Sequence, residues 1–428
     1  MFSMQGLNPH PLRLELHNEV HARPPEATSA PMHVSHIVML CDAAQREASR
    51  SHIATLARER HLPVPDAGST HLRLDLGGFR LRWELHTEFV SWTFTRSCGS
   101  DVLATAAPPT ALDAVPQAWL SGLPGTGLVG LHVWVLPTQS APRLVKDLLL
   151  EESLVASTVA DGLAEVFTDF VVHPDGFSRM LLLAGGLTPR RLGRLLQGLL
   201  EIETYRMAAL LGLPAAREAS AVLASAEVEL AELADAIRSA TRADEPALLD
   251  RLTRLAGQVE SQHATTHSRL SASAAYFSLV DRRIEDLGES RLAGVQTVGE
   301  FMDRRLTPAR STCEWSGKRQ DALSQRVSRI SNLLRTRVEI EQQQSSQDLL
   351  AAMNQRQGVQ LKMQSAVEGL SVAAITYYIV GLISYLSKGA QHVGWPWSPE
   401  LTAAVAIPLV AGAVWWSMRR LHAKVFKH

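Results

Sequence analysis

LSVAAITYYIVGLISYL, residues 370–386, and LTAAVAIPLVAGAVWWSM, residues 401–418, decide the architecture of this chain. Each approaches the ~20 apolar residues that a membrane-crossing helix requires, and neither carries a formal charge. Lys388, Gly389, Trp395, Pro396, Trp397 and Pro399 mark a short turn between them, with tryptophans suited to a membrane interface. The reading is a C-terminal hairpin: 367–387 as transmembrane helix 1, 388–400 as outer turn, 401–418 as transmembrane helix 2, and 419–428 as a basic tail. Membrane lipid is therefore an expected partner.

Basic residues set the expected orientation. Arg419, Arg420, Lys424 and Lys427 crowd the tail, and Arg356 and Lys362 precede the first span, whereas the turn offers Lys388. Lys and Arg accumulate on the cytoplasmic side, so both termini are expected there. The opening MFSMQGLNPHPLRLELHNEVH has no basic region followed by an apolar run that would predict export. A formal net charge of −1 gives no reason to expect nucleic acid as a partner. Cys41, Cys98 and Cys313 lie too far apart for paired zinc-ligand or redox spacing and read as reduced, buried thiols.

Residues 1–215 read as a cytoplasmic mixed α/β head. A strand is expected at 33–40, then a polar helical stretch ending near Pro63–Pro65. From 71 to 88 the alternation is clean: Leu72, Leu74, Leu76, Phe79, Leu81, Trp83 and Leu85 share one face. His71, Arg73, Asp75, Arg80, Arg82, Glu84, His86 and Glu88 share the other, and Gly77-Gly78 supplies a hairpin turn. Further strands are expected at 128–136, 166–172 and 177–183, the last two joined across Pro174-Asp175-Gly176. Antiparallel strands with helices to one side give an α+β class.

Thr188-Pro189 opens a helix, as N-cap and first helical residue, and Gly212-Leu213-Pro214 is expected to end it. Residues 216–310 read as a helical pair, 217–241 and 246–287, followed by a basic linker containing Arg304, Arg305, Pro308 and Arg310. Residues 311–366 read as a long stalk helix. Leu323, Val327, Ile330 and Leu334 recur at 4-3-4 spacing, and Leu350, Met353, Val359, Met363 and Val367 resume an apolar seam. Nothing stops the helix before the bilayer, so stalk and first span read as one. An interrupted seam of this kind predicts a homo-oligomeric coiled coil.

ELHNEVHARPP (15–25), RWELHTEF (82–89), LLEIETYRMAALLGLP (199–214), RRLTPARSTC through LLRTRVEIEQQ (304–343) and VEGLSVAAITYY (367–378) resemble a bacterial family of predicted membrane-anchored proteins, domain of unknown function 3422. Trp92 stands where that pattern leads one to expect tyrosine. The resemblance implies a membrane-anchored bacterial protein and brings no reaction; with the two spans and the basic tail, the expectation is a multi-pass protein of a bacterial inner membrane, both termini cytoplasmic. The order of parts is also similar to CorA-type divalent-cation channels, although their Gly-Met-Asn signature is replaced by Tyr385-Leu386-Ser387-Lys388-Gly389. That likeness implies an oligomeric ion channel or transporter, ion unknown, with a divalent cation as the cofactor to consider. The alternative is a non-conducting membrane-anchored sensor or scaffold.

Four groups of residues are candidates for chemistry. Ser371, Tyr378, Gly381 and Tyr385 fall on one face of the first span and could face a pore or axis, although tight helix packing selects the same residue types. Glu84, His86 and Glu88 alternate as metal ligands would, beside arginines that could balance them. Arg190, Arg191 and Arg194 oppose the dipole at a helix start, which points to an anion, or to pairing with Asp169, Asp175 or another subunit. Glu15, Glu19, His21 and Arg23 form a polar cluster that could pin the N-terminal segment or supply an acid/base pair. No nucleophile elbow or glycine-rich phosphate loop is present, so the chain does not read as an enzyme.

Overall fold

The computed structural model describes residues 10–14, 16–17, 24–98, 108–138, 141–391, 394 and 396–425. They fall into two compact units, Met1–Ser331 and Asn332–His428. The first is built on a nine-stranded sheet, in the order β2-β3-β4-β1-β5-β8-β7-β6-β9. Its strands are β1 (Met32–Leu40), β2 (His71–Asp75), β3 (Arg80–Leu85), β4 (Phe89–Ser97), β5 (Thr126–Pro137), β6 (Val155–Val159), β7 (Ala164–Thr168), β8 (Ser178–Ala184) and β9 (Ser290–Arg291). Neighbours pair antiparallel except β5 and β8, which run parallel.

The 71–88 hairpin has the register its alternation requires, with His71 opposite Glu84 and Gly77 at φ 76° in the turn. Leu74, Phe79, Leu81 and Trp83 are buried. The polar face is only partly a solvent face: Arg73 and Asp75 are exposed, whereas Glu84 is only 5% exposed. Helices cover both sides of the sheet rather than one. α1 (Ala43–Glu59) and α2 (Ala141–Leu148) sit on one face, with Ile53 and Leu56 against Trp83 and Trp92, and Leu144 and Leu148 against Trp134 and Leu181. On the other, α3 (Pro189–Leu210) lays Leu192, Leu195, Leu196 and Leu199 on Val34, Val133 and Leu182. This is why β1 is buried through Val38 and β5 from Leu131 to Leu136, on both faces of each strand, with His33, Ser35, His36 and His132 among the enclosed residues.

β7 stops at Thr168, four residues short of the expected end. Asp169 diverts the chain, its carboxylate accepting from Val171 N at 3.1 Å and Leu150 N at 3.0 Å. Such side-chain acceptors compete with the strand ladder for backbone donors. β4, β6 and β9 have no counterpart among the strands expected from the sequence.

Gly212 does not end the helical run: α4 (Gly212–Ser239) starts directly after α3, and α5 (Glu245–Asp286) packs back along both. The basic stretch 304–310 is helix, not linker. α6 (Val298–Gln391) begins at a reciprocal cap, Thr297 N to Glu300 Oε2 at 3.0 Å and Glu300 N to Thr297 Oγ1 at 3.1 Å. Pro308 lies inside it, yet Met302, Leu306, Ala309 and Cys313 are buried at 4-3-4 spacing, and Leu323 and Val327 extend the stripe. Packing of that face into the head outweighs the lost backbone donor of one proline.

The second unit holds the remainder of α6 and α7 (Pro399–Val425). Ser387 donates to Thr402 Oγ1 at 3.3 Å, tying the two apolar stretches together. Three helical runs are long and apolar enough to cross a membrane: 189–239, 298–390 and 399–420. Much of the first run's apolar surface belongs to the head's core, whereas the apolar windows of the others are 0% and 6% buried.

Candidate functional site

The head carries a cleft of about 490 Å³. One flank of α3 supplies Arg191, Arg194, Leu195, Gln197, Gly198 and Glu201; the end of α5 supplies Arg283, Asp286, Leu287 and Gly288. The β6–β7 turn adds Ala160 and Asp161, and the strap before β1 adds Pro25. The strap is held by Thr28 N to Pro189 O at 2.9 Å, by Arg80 to Glu26 at 2.6 Å, and by Arg73 to the Pro24 carbonyl. Gly193 permits this seat, because a Cβ there would fall 1.8 Å from the Glu26 carbonyl oxygen. Ala160 and Asp161 adopt left-handed φ of 54° and 61°, and Ala160 N bonds Leu287 O at 2.8 Å, locking the turn to the helix end.

Charge in the cleft is arranged in pairs. Arg191 meets Asp161 at 3.1 Å. Arg283 engages both Glu201 and, at 3.0 Å, Asp286. Gln197 Nε2 donates to Glu201 Oε1 at 2.8 Å. Arg194 is exposed and makes no ion pair among the described residues. Of the three arginines singled out from the sequence, Arg191 and Arg194 line this cleft and Arg190 does not. Neither Asp169 nor Asp175 is the partner: Asp169 meets His173 at 2.9 Å and Asp175 meets Arg179 at 3.1 Å.

A buried polar layer lies between α3 and the sheet. Glu84 accepts from Arg82 at 3.0 Å and Ser91 at 3.4 Å. Glu88 turns instead to α5, accepting from Arg269 at 2.9 Å and the Tyr276 hydroxyl at 3.1 Å. His86 stacks on Phe89, ring centroids 4.4 Å apart. The two carboxylates therefore serve different partners, and no three His, Cys, Asp or Glu side chains converge as metal ligands would among the described residues. Glu203, 3% exposed, holds Arg206 through two contacts of 2.6 Å and accepts from Ser178 at 3.2 Å. Burial holds the Tyr276 phenol up at about 12, with the Glu88 carboxylate adding to the effect.

His36 bridges Thr93 at 2.9 Å and Thr204 at 3.1 Å, and burial with nearby Arg82 lowers its pKa to about 3. On the opposite face His132 bonds Ser35 at 2.8 Å and stacks on Phe177, while burial brings its pKa to about 4. His33 is 1% exposed, and both its ring nitrogens are buried without a hydrogen-bond partner among the described residues. All three stay neutral near pH 7.

In the second unit Ser371 donates back to Val367 O at 2.8 Å. Tyr378 and Tyr385 are 71% and 76% exposed, and Gly381 has open space around it. The Glu15, Glu19, His21 and Arg23 cluster lies outside the described residues. The cleft partners Asp161, Glu201, Arg283 and Asp286 were missed by sequence reasoning. Glu201 had a local signal, four residues after Gln197 on α3, but Asp161 and Arg283 come from distant turns and helices.

Fold and surroundings define an α+β head with a polar cleft, joined in one chain to helices apolar enough to cross a membrane. The chain belongs to the family described as protein of unknown function (DUF3422), whose model matches residues 8–425. No curated protein matches it, and no solved structure does.

Proposed function

We propose that this is a homo-oligomeric inner-membrane protein, both termini cytoplasmic, that moves an ion along an axis lined by its first span, in the manner of a CorA-like channel or transporter. One observation carries the reading. Thr376 and Ser387, eleven residues apart and so on one helix face, are the buried polar residues of the first span, and Ser387 is turned to the second. The stripe of Ser371, Tyr378, Gly381 and Tyr385 lies off that face, with its tyrosines outward. Phenol groups in hydrocarbon need hydrogen-bonding partners, and an axis shared between copies supplies them as protein or water. Met363 and Val367 continue the same face toward the stalk and are 68% and 65% exposed, surface that further copies would cover.

Single cysteines at Ser371, Tyr378 and Tyr385 should crosslink between copies and react with small polar thiol reagents, unlike cysteines at Ile375 and Leu382. Purified protein in vesicles should pass a cation. Crosslinking without reagent access or flux supports the second reading, a non-conducting scaffold or sensor. That reading is favoured by Lys388, whose ammonium sits 5.9 Å from the Tyr385 ring centroid at the end of the stripe and would repel a cation. Absence of both signals removes the axis. Reporter fusions after His428 and within residues 392–397 test the orientation, which a C-terminus outside the cytoplasm would overturn.

A further inference from the structure

The cleft of the head is neutral in sum but divided in charge. At one end a single guanidinium, Arg283, is shared by two carboxylates, Glu201 and Asp286, leaving one negative charge in excess. Arg191 and Asp161 cancel at 3.1 Å. At the other end Arg194 has no acidic partner among the described residues, leaving one positive charge in excess. Arg194 and Glu201 share the flank of α3, seven residues and about 10 Å apart along its axis. Gln197 stands between them. Its amide nitrogen is committed to Glu201, while its Oε1 is enclosed and accepts no hydrogen bond among the described residues.

We propose that this cleft binds a small zwitterion, with a carboxylate on Arg194 and an ammonium group at the Glu201–Asp286 end. An arginine fork matches a carboxylate in shape and charge, and the opposite end offers the carboxylate oxygens of Glu201 and Asp286 to N–H donors. A polyanion such as a nucleotide would be set among Asp161, Glu201 and Asp286, and a simple cation would leave Arg194 unmatched. About 490 Å³ is within the usual range for small-molecule sites. The site lies wholly within the head, so the inference stands or falls independently of ion movement.

The test uses the full chain in detergent at fixed ionic strength, following thermal unfolding by tryptophan fluorescence. Each standard amino acid is titrated singly, with sodium acetate, methylamine hydrochloride and sodium phosphate as single-charge and polyanion comparisons. At least one amino acid should raise the midpoint saturably, and the three comparison salts should not. Arg194→Gln and Asp286→Asn should each weaken binding about tenfold or more, as expected for loss of a charge-assisted contact. Both residues are exposed, so the variants should fold; Arg254→Gln, on a surface pair with Asp250 elsewhere, should leave binding unchanged. The proposal is overturned if no amino acid saturates, if phosphate or acetate does as well, or if Arg194→Gln binds normally.

Discussion

Trp83 and Tyr378 are both large aromatic residues in regular secondary structure, yet one is 0% exposed and the other 71%. The contrast holds for the units around them. In the head, leucines of α3 and tryptophans of the sheet are enclosed, and buried charges such as Glu203 and Glu84 have guanidinium partners. In the second unit Leu350, Met353, Val359, Met363 and Leu370 are all more than half exposed. A single copy thus encloses the apolar side chains of the head's core and leaves those of the second unit exposed. Intramolecular packing is extensive in the first and sparse in the second.

The largest effects should come from the head. Trp83→Ala should cost about 3–5 kcal/mol, the loss of a fully buried aromatic side chain, read as a lower denaturant midpoint of the full chain. Arg206→Met should cost a similar amount, roughly 3–5 kcal/mol, because it leaves Glu203 buried without its cation. A loss below 1 kcal/mol in both would break the contrast by showing a loosely packed head.

Acid should act next, and again on the head. His36 and His132 have folded-state pKa values lowered from 6.5 to about 3 and about 4, so below pH 6.5 the unfolded chain takes up protons that the folded chain refuses. Stability is complete above about pH 6.5 and falls with pH, by roughly 1.4 kcal/mol per pH unit for each histidine until the folded values are approached. Replacing His36 with Gln should flatten that dependence. A pH profile unchanged by His36→Gln would show that this histidine is not buried in its neutral form.

Smaller effects belong to the second unit. Leu350→Ala should change the midpoint of an isolated copy by no more than about 0.5 kcal/mol, because the side chain is 60% exposed. In an assembly the same substitution should weaken self-association, measured by sedimentation in detergent across protein concentration. A loss of several kcal/mol in dilute monomer would show that the residue is covered within one chain. Thr402→Val should likewise have a small effect, about 1 kcal/mol, the net value of its hydroxyl contacts with Ser387 and the Ser398 carbonyl.

The sequence by itself determined what depends on local pattern. Alternation over 71–88 with Gly77 at the turn defined a hairpin and its register, and two uncharged runs defined helices able to cross a membrane. Pro189 marked a helix start, because the fixed φ of proline acts within one turn, although Thr188 before it stands at the N-cap position without a side-chain capping bond. Only the tertiary structure decided what the polar hairpin face does, since a row of charged residues looks the same whether water or α3 covers it. It also carried α6 through Pro308, where burial of Leu306, Ala309 and Cys313 outweighed a local breaker. The cleft depended on it most. Arg191 and Arg194 were visible on their helix, but Asp161, Arg283 and Asp286 reach them only after β6, β7, α3 and α5 are packed. Charge pairing across such sequence distances is a property of the fold and leaves no periodic trace in the chain.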